Sequence, residues 1–310
     1  MKNTTKTASI LTVLLFAPLL AVTGPQAAAS EELPPRAARL VGEGDELMAS
    51  GDLDDAIRRY ERAERVVDGG SIEVALALVR AYHRSGQYEK AVAKAVEARP
   101  LAETPAEQAE LAYLTGRSYY ESAYLADWGD QLPHQTRAWG ENMEMAKTFF
   151  VNAGRTSAET VPQVFYLLGR IFETAGDRPY ATEFYVDYLK RDPTGPYAAL
   201  ARQRLEYLQG PAPPVFAEGE ITPPTVLERV VPEYTQEGSQ AGINGDVVVV
   251  AVIDETGTPT VLEVVKGLPY GLSEAAVEAI EQWKFEPARN AAGEPVPVYY
   301  TLATSFRQDY

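Results

Sequence analysis

Gly242-Ile243-Asn244-Gly245-Asp246-Val247-Val248-Val249-Val250-Ala251-Val252-Ile253-Asp254-Glu255-Thr256-Gly257 decides how the C-terminal part of this chain folds. The run from Asp246 to Ile253 is continuously apolar and β-branched, which predicts a strand buried on both faces or nearly so. Glu255-Thr256-Gly257-Thr258 has hairpin-turn chemistry, so Thr260 to Lys266 is the return strand. Ser273 predicts a helix N-cap, with Glu274 in the first turn. Ala275, Ala276, Ala279 and Ile280 then make a small-residue face that can lie close on a sheet. Trp283 and Phe285 alternate in a strand-like segment after that helix. Val296 to Phe306, rich in Val, Tyr and Thr, is the last strand. Upstream, Pro232 to Gln240 reads as a brief helix or turn. The order α-β-β-α-β is a small antiparallel sheet with helices on one face.

Taken as a set, these motifs are specific. Pro232-x-Tyr234 precedes the run, and Ala275-Ala276-Val277-x-Ala279-Ile280-x-x-Trp283-x-Phe285-x-Pro287-Ala288 follows it, then Gly293-x-Pro295-Val296 and Phe306. Together they resemble the C-terminal domain of TonB, the periplasmic tip of an energy-transducing protein, from Val226 to about Phe306. The resemblance implies a domain that binds other proteins and catalyses nothing. It also implies that the final strand presents an open edge, where an extended partner segment adds as another strand. An outer-membrane transporter's N-terminal box would be such a partner. On the matching positions the partner-binding residues are Val296, Val298, Tyr299, Tyr300, Leu302 and Thr304, with Tyr299 and Tyr300 on opposite faces. The two tyrosines also read as ordinary strand residues. The pattern departs from many relatives at Thr235, where they have Pro. The segment is also acidic, with thirteen Asp or Glu against five Lys or Arg from Ile221 on.

The N-terminal half repeats itself. Ser50-Gly51-Asp52-Leu53-Asp54-Asp55-Ala56 returns as Ser85-Gly86-Gln87-Tyr88-Glu89-Lys90-Ala91, an offset of 35. Ala63 and Ala98 share it, and Ala175-Gly176-Asp177-x-x-Tyr180-Ala181 is a further copy. This spacing of small residues and aromatics is similar to that of tetratricopeptide repeats (TPR). Each such repeat is a helical hairpin that buries its apolar face only by stacking on neighbours. Gly44, Gly116 and Gly169 fall where the first helix of a repeat needs a small residue. Tyr60, Phe150 and Tyr185 are expected to fill the space toward the next hairpin.

One repeat is stretched. Gly116 and Gly169 are 53 apart, so about eighteen residues are inserted, roughly Tyr124 to Gly140. Solenoid insertions usually lie on one face, often the binding face, which makes Trp128 and Trp139 candidate partner-binding residues. Tyr197 to Leu208 reads as a capping helix. Gly210 to Pro224 is proline-rich, hence extended and semi-rigid. Its fifteen residues reach roughly 45 Å at ~3.1 Å each, which joins domains without crossing a compartment.

Lys2 and Lys6, the apolar run Ile10 to Val22 and Ala27-Ala28-Ala29 read as a secretory signal. The apolar run is shorter than the ~20 residues that span a bilayer. There is no cysteine, which excludes disulfides, thiol catalysis, cysteine metal sites and a lipoprotein anchor. A net charge of −16 disfavours nucleic acid and anionic membranes as partners. No P-loop, nucleophile elbow or dinucleotide glycine pattern is present. His83 sits in a repeat helix and reads as a surface residue. Asp130, His134, Glu141 and Glu144 match no metal-ligand spacing.

The expected fold is α+β and multidomain. A signal peptide occupies 1–29, an all-α TPR-type solenoid 35–209 (insert about 124–140), a Pro-rich linker 210–224 and a TonB C-terminal-like domain with a small antiparallel sheet 225–310. The expected function is non-catalytic and periplasmic, with no cofactor, metal or small-molecule substrate. The repeats bind one protein, and the terminal domain docks a TonB-dependent outer-membrane receptor or another envelope protein. Three alternatives stand beside it. One is a true energy transducer held by an uncleaved signal, another a general envelope-assembly scaffold, and the third a hydrolase with a site in the insert. TonB's own anchor uses a polar face with a histidine, whereas Ile10 to Val22 has only Thr12 as a polar residue.

Overall fold

The computed structural model describes residues 32–125, 137–210 and 220–308. The signal segment, Trp128, Asp130, His134 and most of the Pro-rich linker lie outside them. Four helical hairpins come first. They are α1 (Pro35–Ser50) with α2 (Leu53–Val66), α3 (Ile72–Arg84) with α4 (Tyr88–Ala98), α5 (Pro105–Leu125) with α6 (Arg137–Ser157), and α7 (Gln163–Thr174) with α8 (Arg178–Arg191). A final helix, α9 (Ala198–Gln209), seals α8 as the capping pattern predicts. Gly51, Gly86 and Gly176 end the first helices of three hairpins at φ 81°, 70° and 77°. Only glycine enters that region without strain.

Within a hairpin the helices meet through a trade of side-chain size. A Cβ on Gly116 would lie 2.7 Å from the Phe150 ring, and one on Gly169 would lie 2.5 Å from the Tyr185 ring. Gly44 faces Tyr60 in the same way. The aromatic therefore lies on the glycine of its own hairpin and also shares a core cluster with the next one, Tyr60 with Val74 and Leu78, and Phe150 with Val164 and Leu168. The bare helix backbone is the floor for the ring. Val79 and Ala95, one 35-residue offset beyond Gly44 and Tyr60, reverse the sizes and are both buried in one cluster. The described part of the insertion is helix, since α5 and α6 each run 21 residues.

The C-terminal domain comprises β1 (Ile221–Thr222), β2 (Thr225–Glu228), α10 (Gln236–Gln240), β3 (Gly245–Ile253), β4 (Pro259–Lys266), α11 (Leu272–Ile280), β5 (Lys284–Glu286), β6 (Arg289–Asn290) and β7 (Val298–Phe306). Its main sheet is antiparallel with order β4-β3-β7, and β1/β6 and β2/β5 are two small ribbons. Ile221 and Thr222, read as linker, are thus paired with Asn290 and Arg289. Val247, Val249, Ala251 and Ile253 pack with Leu272, Ala276 and Ile280 of α11 and with Leu302 and Phe306 of β7.

Two local expectations are corrected. Ser273 is not the N-cap; Gly271 takes that place at φ 76°. The buried Ser273 hydroxyl instead ties back to Leu268, donating to its carbonyl and accepting its N–H at 2.9 Å each. The chain turns so tightly at Tyr270 and Gly271, both at positive φ, that the helix begins ahead of the serine. The last strand starts at Val298, not Val296. The Val296 N–H donates to the Ala288 carbonyl at 2.9 Å, and Pro297 has no donor to extend the ladder.

Candidate functional site

The two edges of the main sheet meet different surroundings. β7 pairs with β3 along its whole length, from Ile253↔Val298 to Gly245↔Phe306. No described strand pairs with its other edge. β4, at the opposite edge, backs onto α5, α7 and α9 of the repeats. The described residues from Leu33 to Gln308 cluster as one compact unit.

The strand phase sorts the expected partner residues. Val298, Leu302 and Thr304 are buried beneath the helix side of the sheet, and Tyr300 and Val296 pack partly against the same core. These residues present only their backbone to an incoming strand. The outward phase is Tyr299, Thr301, Ala303 and Ser305. Thr301, Ala303 and Ser305 escaped the sequence reading; the inward phase of β3, carried across the ladder, was the signal that could have found them. Tyr299 is 42% exposed and hydrogen-bonds Tyr207 of α9. Burial first, and that bond second, push the Tyr207 phenol above its usual range. Trp139 lies in the first turn of α6, half-buried with Ala123, Met143 and Val264 of β4.

Three arginines from successive inner helices line the solenoid's face toward the C-terminal domain. Arg117 of α5 pairs with Glu121 at 2.6 Å and Glu274 at 3.4 Å, and donates to the Tyr197 hydroxyl at 3.0 Å. Arg170 of α7 donates to the Val261 carbonyl of β4 at 3.4 Å. Arg204 of α9 pairs with Glu281 at 3.5 Å and Glu173 at 3.6 Å. At the rim, the Tyr270 hydroxyl donates to the Ser85 carbonyl at 2.9 Å. Gln240 donates to the Ser50 carbonyl at 3.0 Å, as Gln236 also does.

Two cavities flank the Arg117–Glu274 contact. One, about 170 Å³, lies among Tyr166, Tyr197, Leu200, Arg204, Val264 and Val277. The other, about 280 Å³, lies among His83, Tyr88, Thr235 and Tyr270. Burial lowers the His83 pKa to about 3, and the Arg117 charge adds to this. His83 is therefore not the surface residue expected; its Nδ1 sits 3.1 Å from the Ser118 hydroxyl. Burial, then the Glu274 charge, raise Glu121 to about 7, against the opposing pull of Arg117. Among the described residues no group of acidic or histidine side chains is arranged to hold a metal. No described helix is long and apolar enough to cross a membrane.

Residues 230–307 match the family described as Gram-negative bacterial TonB protein C-terminal, and residues 47–112 match a tetratricopeptide repeat family. The chain therefore carries tetratricopeptide repeats followed by a TonB C-terminal domain, both of them protein-interaction modules without catalytic activity of their own. Comparison with curated proteins finds no match. Among solved structures, a MamA protein is similar at 20% identity over 56% of this chain and 80% of that one, with a TM-score of 0.43. A TPR protein of Thermus thermophilus shows 18% identity over 56% and 80%, also at 0.43. A tetratricopeptide repeat protein from Parabacteroides merdae shows 16% over 57% and 61%, again at 0.43.

Proposed function

We propose that this chain is a periplasmic adaptor whose C-terminal domain captures an extended segment of an envelope protein as an added strand on β7. A TonB-dependent outer-membrane receptor is the partner this reading favours. The observation that carries it is the asymmetry of the sheet: β4 is covered by the repeats, while among the described residues β7 has a strand partner on one side only. Backbone groups of the added strand supply affinity. Thr301, Ala303 and Ser305 supply selectivity, because theirs are side chains of the outward phase, while Tyr299 on the same phase is held by Tyr207 of α9. The acidic balance of the domain favours a partner segment bearing Lys or Arg. The export signal read in residues 1–29 supports the compartment.

The test is a photo-crosslinking residue at Thr301, with a second at exposed Val96 on α4 as the control. In cells expressing outer-membrane receptors, the Thr301 probe captures a receptor's periplasmic segment and the Val96 probe does not. Equal capture at both positions, or none at Thr301, sinks strand addition. Fractionation reads the compartment: mature chain in the inner-membrane pellet overturns the freely periplasmic form in favour of an anchored transducer.

A further inference from the structure

We propose that the cavity between the repeats and the C-terminal domain binds a small monocarboxylate with an apolar body, of the size of an arylacetate. The site is composite: neither half of the chain encloses it alone. The ligand touches both halves, so its binding holds the C-terminal domain on the repeats. This stands apart from strand addition, which uses the other edge of the sheet.

The cavity exists because two cores meet there without merging. The clusters within the repeats and the cluster around the sheet are distinct, and Val264 alone joins the latter to a small cluster containing repeat residues. Each half keeps its own core, and a space of about 170 Å³ is left between them. The repeats supply Tyr166, Tyr197 and Leu200 to its walls, β4 supplies Val264 and α11 supplies Val277. Tyr166 and Tyr197 stack with ring centroids 4.4 Å apart and planes at 3°, which makes a rigid pair of that wall. An apolar cavity of about 150 Å³ takes up benzene, so this one holds a single ring or a chain of similar bulk.

The polar groups on the same walls select the charge. Arg117 stands between Glu121 and Glu274, and Arg204 between Glu173 and Glu281. Arg170 also borders the cavity and is 7% exposed, yet among the described residues no ion pair reaches it. Its guanidinium donates only the long bond of 3.4 Å to the uncharged Val261 carbonyl. Arg117 Nε and Arg204 Nε are buried without a hydrogen-bond partner among the described residues. A buried cation and unmade bonds to charged donors are unfavourable until an anion meets them. A carboxylate suits the planar guanidinium, which it meets with two parallel hydrogen bonds. Glu121, raised to about 7, takes up a proton as the negative charge enters. Glu274 and exposed Glu278 also border the cavity and repel multiply charged anions such as phosphate.

The experiment is calorimetric titration of the full chain with phenylacetate. Phenylacetamide has the same shape without the charge, acetate has the charge without the ring, and inorganic phosphate has neither ring nor single charge. Phenylacetate binds at least tenfold more tightly than each of the three. Arg170→Met lowers its affinity at least tenfold, and Arg170→Lys, which keeps the charge, restores part of that loss. A merely structural role for Arg170 would leave the preference for the acid over the amide unchanged in both variants.

A second measurement uses the native chain and so does not depend on the folding of a variant. Hydrogen exchange is followed with and without phenylacetate. Exchange slows in β4, in α11 and at the turn of Ser85, whose carbonyl accepts from Tyr270, while phenylacetamide leaves it unchanged. Absence of heat with phenylacetate shows that the cavity takes solvent only and overturns the proposal. Amide binding as tight as that of the acid, unchanged affinity in Arg170→Met, or slowed exchange confined to segments away from the cavity overturns it as well. Capture at the Thr301 probe is read separately, so failure of strand addition leaves this site standing, and failure of this site leaves strand addition standing.

Discussion

Arg204 of α9 and Glu281, just past α11, lie 3.5 Å apart with side chains 1% and 9% exposed. Among the described residues this is the most deeply buried charge pair joining the repeats to the C-terminal domain. Glu281 also accepts the Val261 N–H of β4 at 3.3 Å, so one carboxylate ties helix, strand and solenoid together. Removing one member of a buried pair leaves the other charge stranded, at about 3–5 kcal/mol. Arg204→Ala and Glu281→Ala should each lower stability by that order in urea unfolding of the full chain. The double change to Met at both positions should lose less than the two single changes combined. Strict additivity would show that the two residues do not act as a pair.

The glycine–aromatic pairing makes a separate prediction inside the solenoid. Gly116→Val drives a branched side chain into the Phe150 ring, and overpacking of this kind costs about 1–3 kcal/mol. Phe150→Ala opens a cavity at about 3–5 kcal/mol. The double variant reproduces the Val79 and Ala95 arrangement of the second hairpin, so it should be markedly more stable than the sum of the singles. Thermal unfolding of the three variants decides it.

Two half-buried groups in the inter-domain cleft make opposite contributions to the pH dependence of stability. Glu121 is raised to about 7, so the folded state holds its proton more tightly than the unfolded state. The stability this gives is fully present below the unfolded carboxylate value, near 4.5, and is lost as pH rises toward 7. His83 is lowered to about 3. Its contribution is present above its unfolded value, near 6.5, and is lost as pH falls toward 3. Between about pH 4.5 and 6.5 the slopes oppose, each at most about 1.4 kcal/mol per pH unit. Glu121→Gln should therefore unmask the histidine, with stability falling as pH drops from 6.5 to 4.5. His83→Asn should unmask the carboxylate, with stability falling as pH climbs over the same window. Urea midpoints at half-unit intervals check both.

Local chemistry made much of this architecture legible. Gly51 and Gly86 mark helix ends because left-handed backbone selects glycine, and the run Asp246 to Ile253 marks a strand because its residues are branched and apolar. What escaped the sequence was set by tertiary geometry. Ser273 has the chemistry of an N-cap, but the left-handed turn at Tyr270 and Gly271 starts the helix before it. The role of Arg204 was not readable either, because its partners lie on α7 and beyond α11, far apart in the chain. Tyr299 and Thr304 differ by one strand face, and only the ladder to β3 assigns which of them looks outward. His83 looks like a polar helix residue until Ser118 and Tyr88 close around it.

The separation of the two cores predicts where the chain opens first. Glu274→Lys with Glu278→Lys sets two cations against Arg117 without touching Leu272, Ala276 or Ile280. Like charges at this range repel, and the docked arrangement should weaken while the sheet persists. Hydrogen exchange should then rise in the turns at Ser50 and Ser85, whose carbonyls accept from the C-terminal domain. It should rise also in β4, whose Val261 carbonyl accepts from Arg170. The β3–β7 ladder should keep its protection, because its nine-residue register is internal to the domain. If protection falls together across β7, α11 and β4, docking and folding are one cooperative event, and the terminal domain has no stability apart from the repeats.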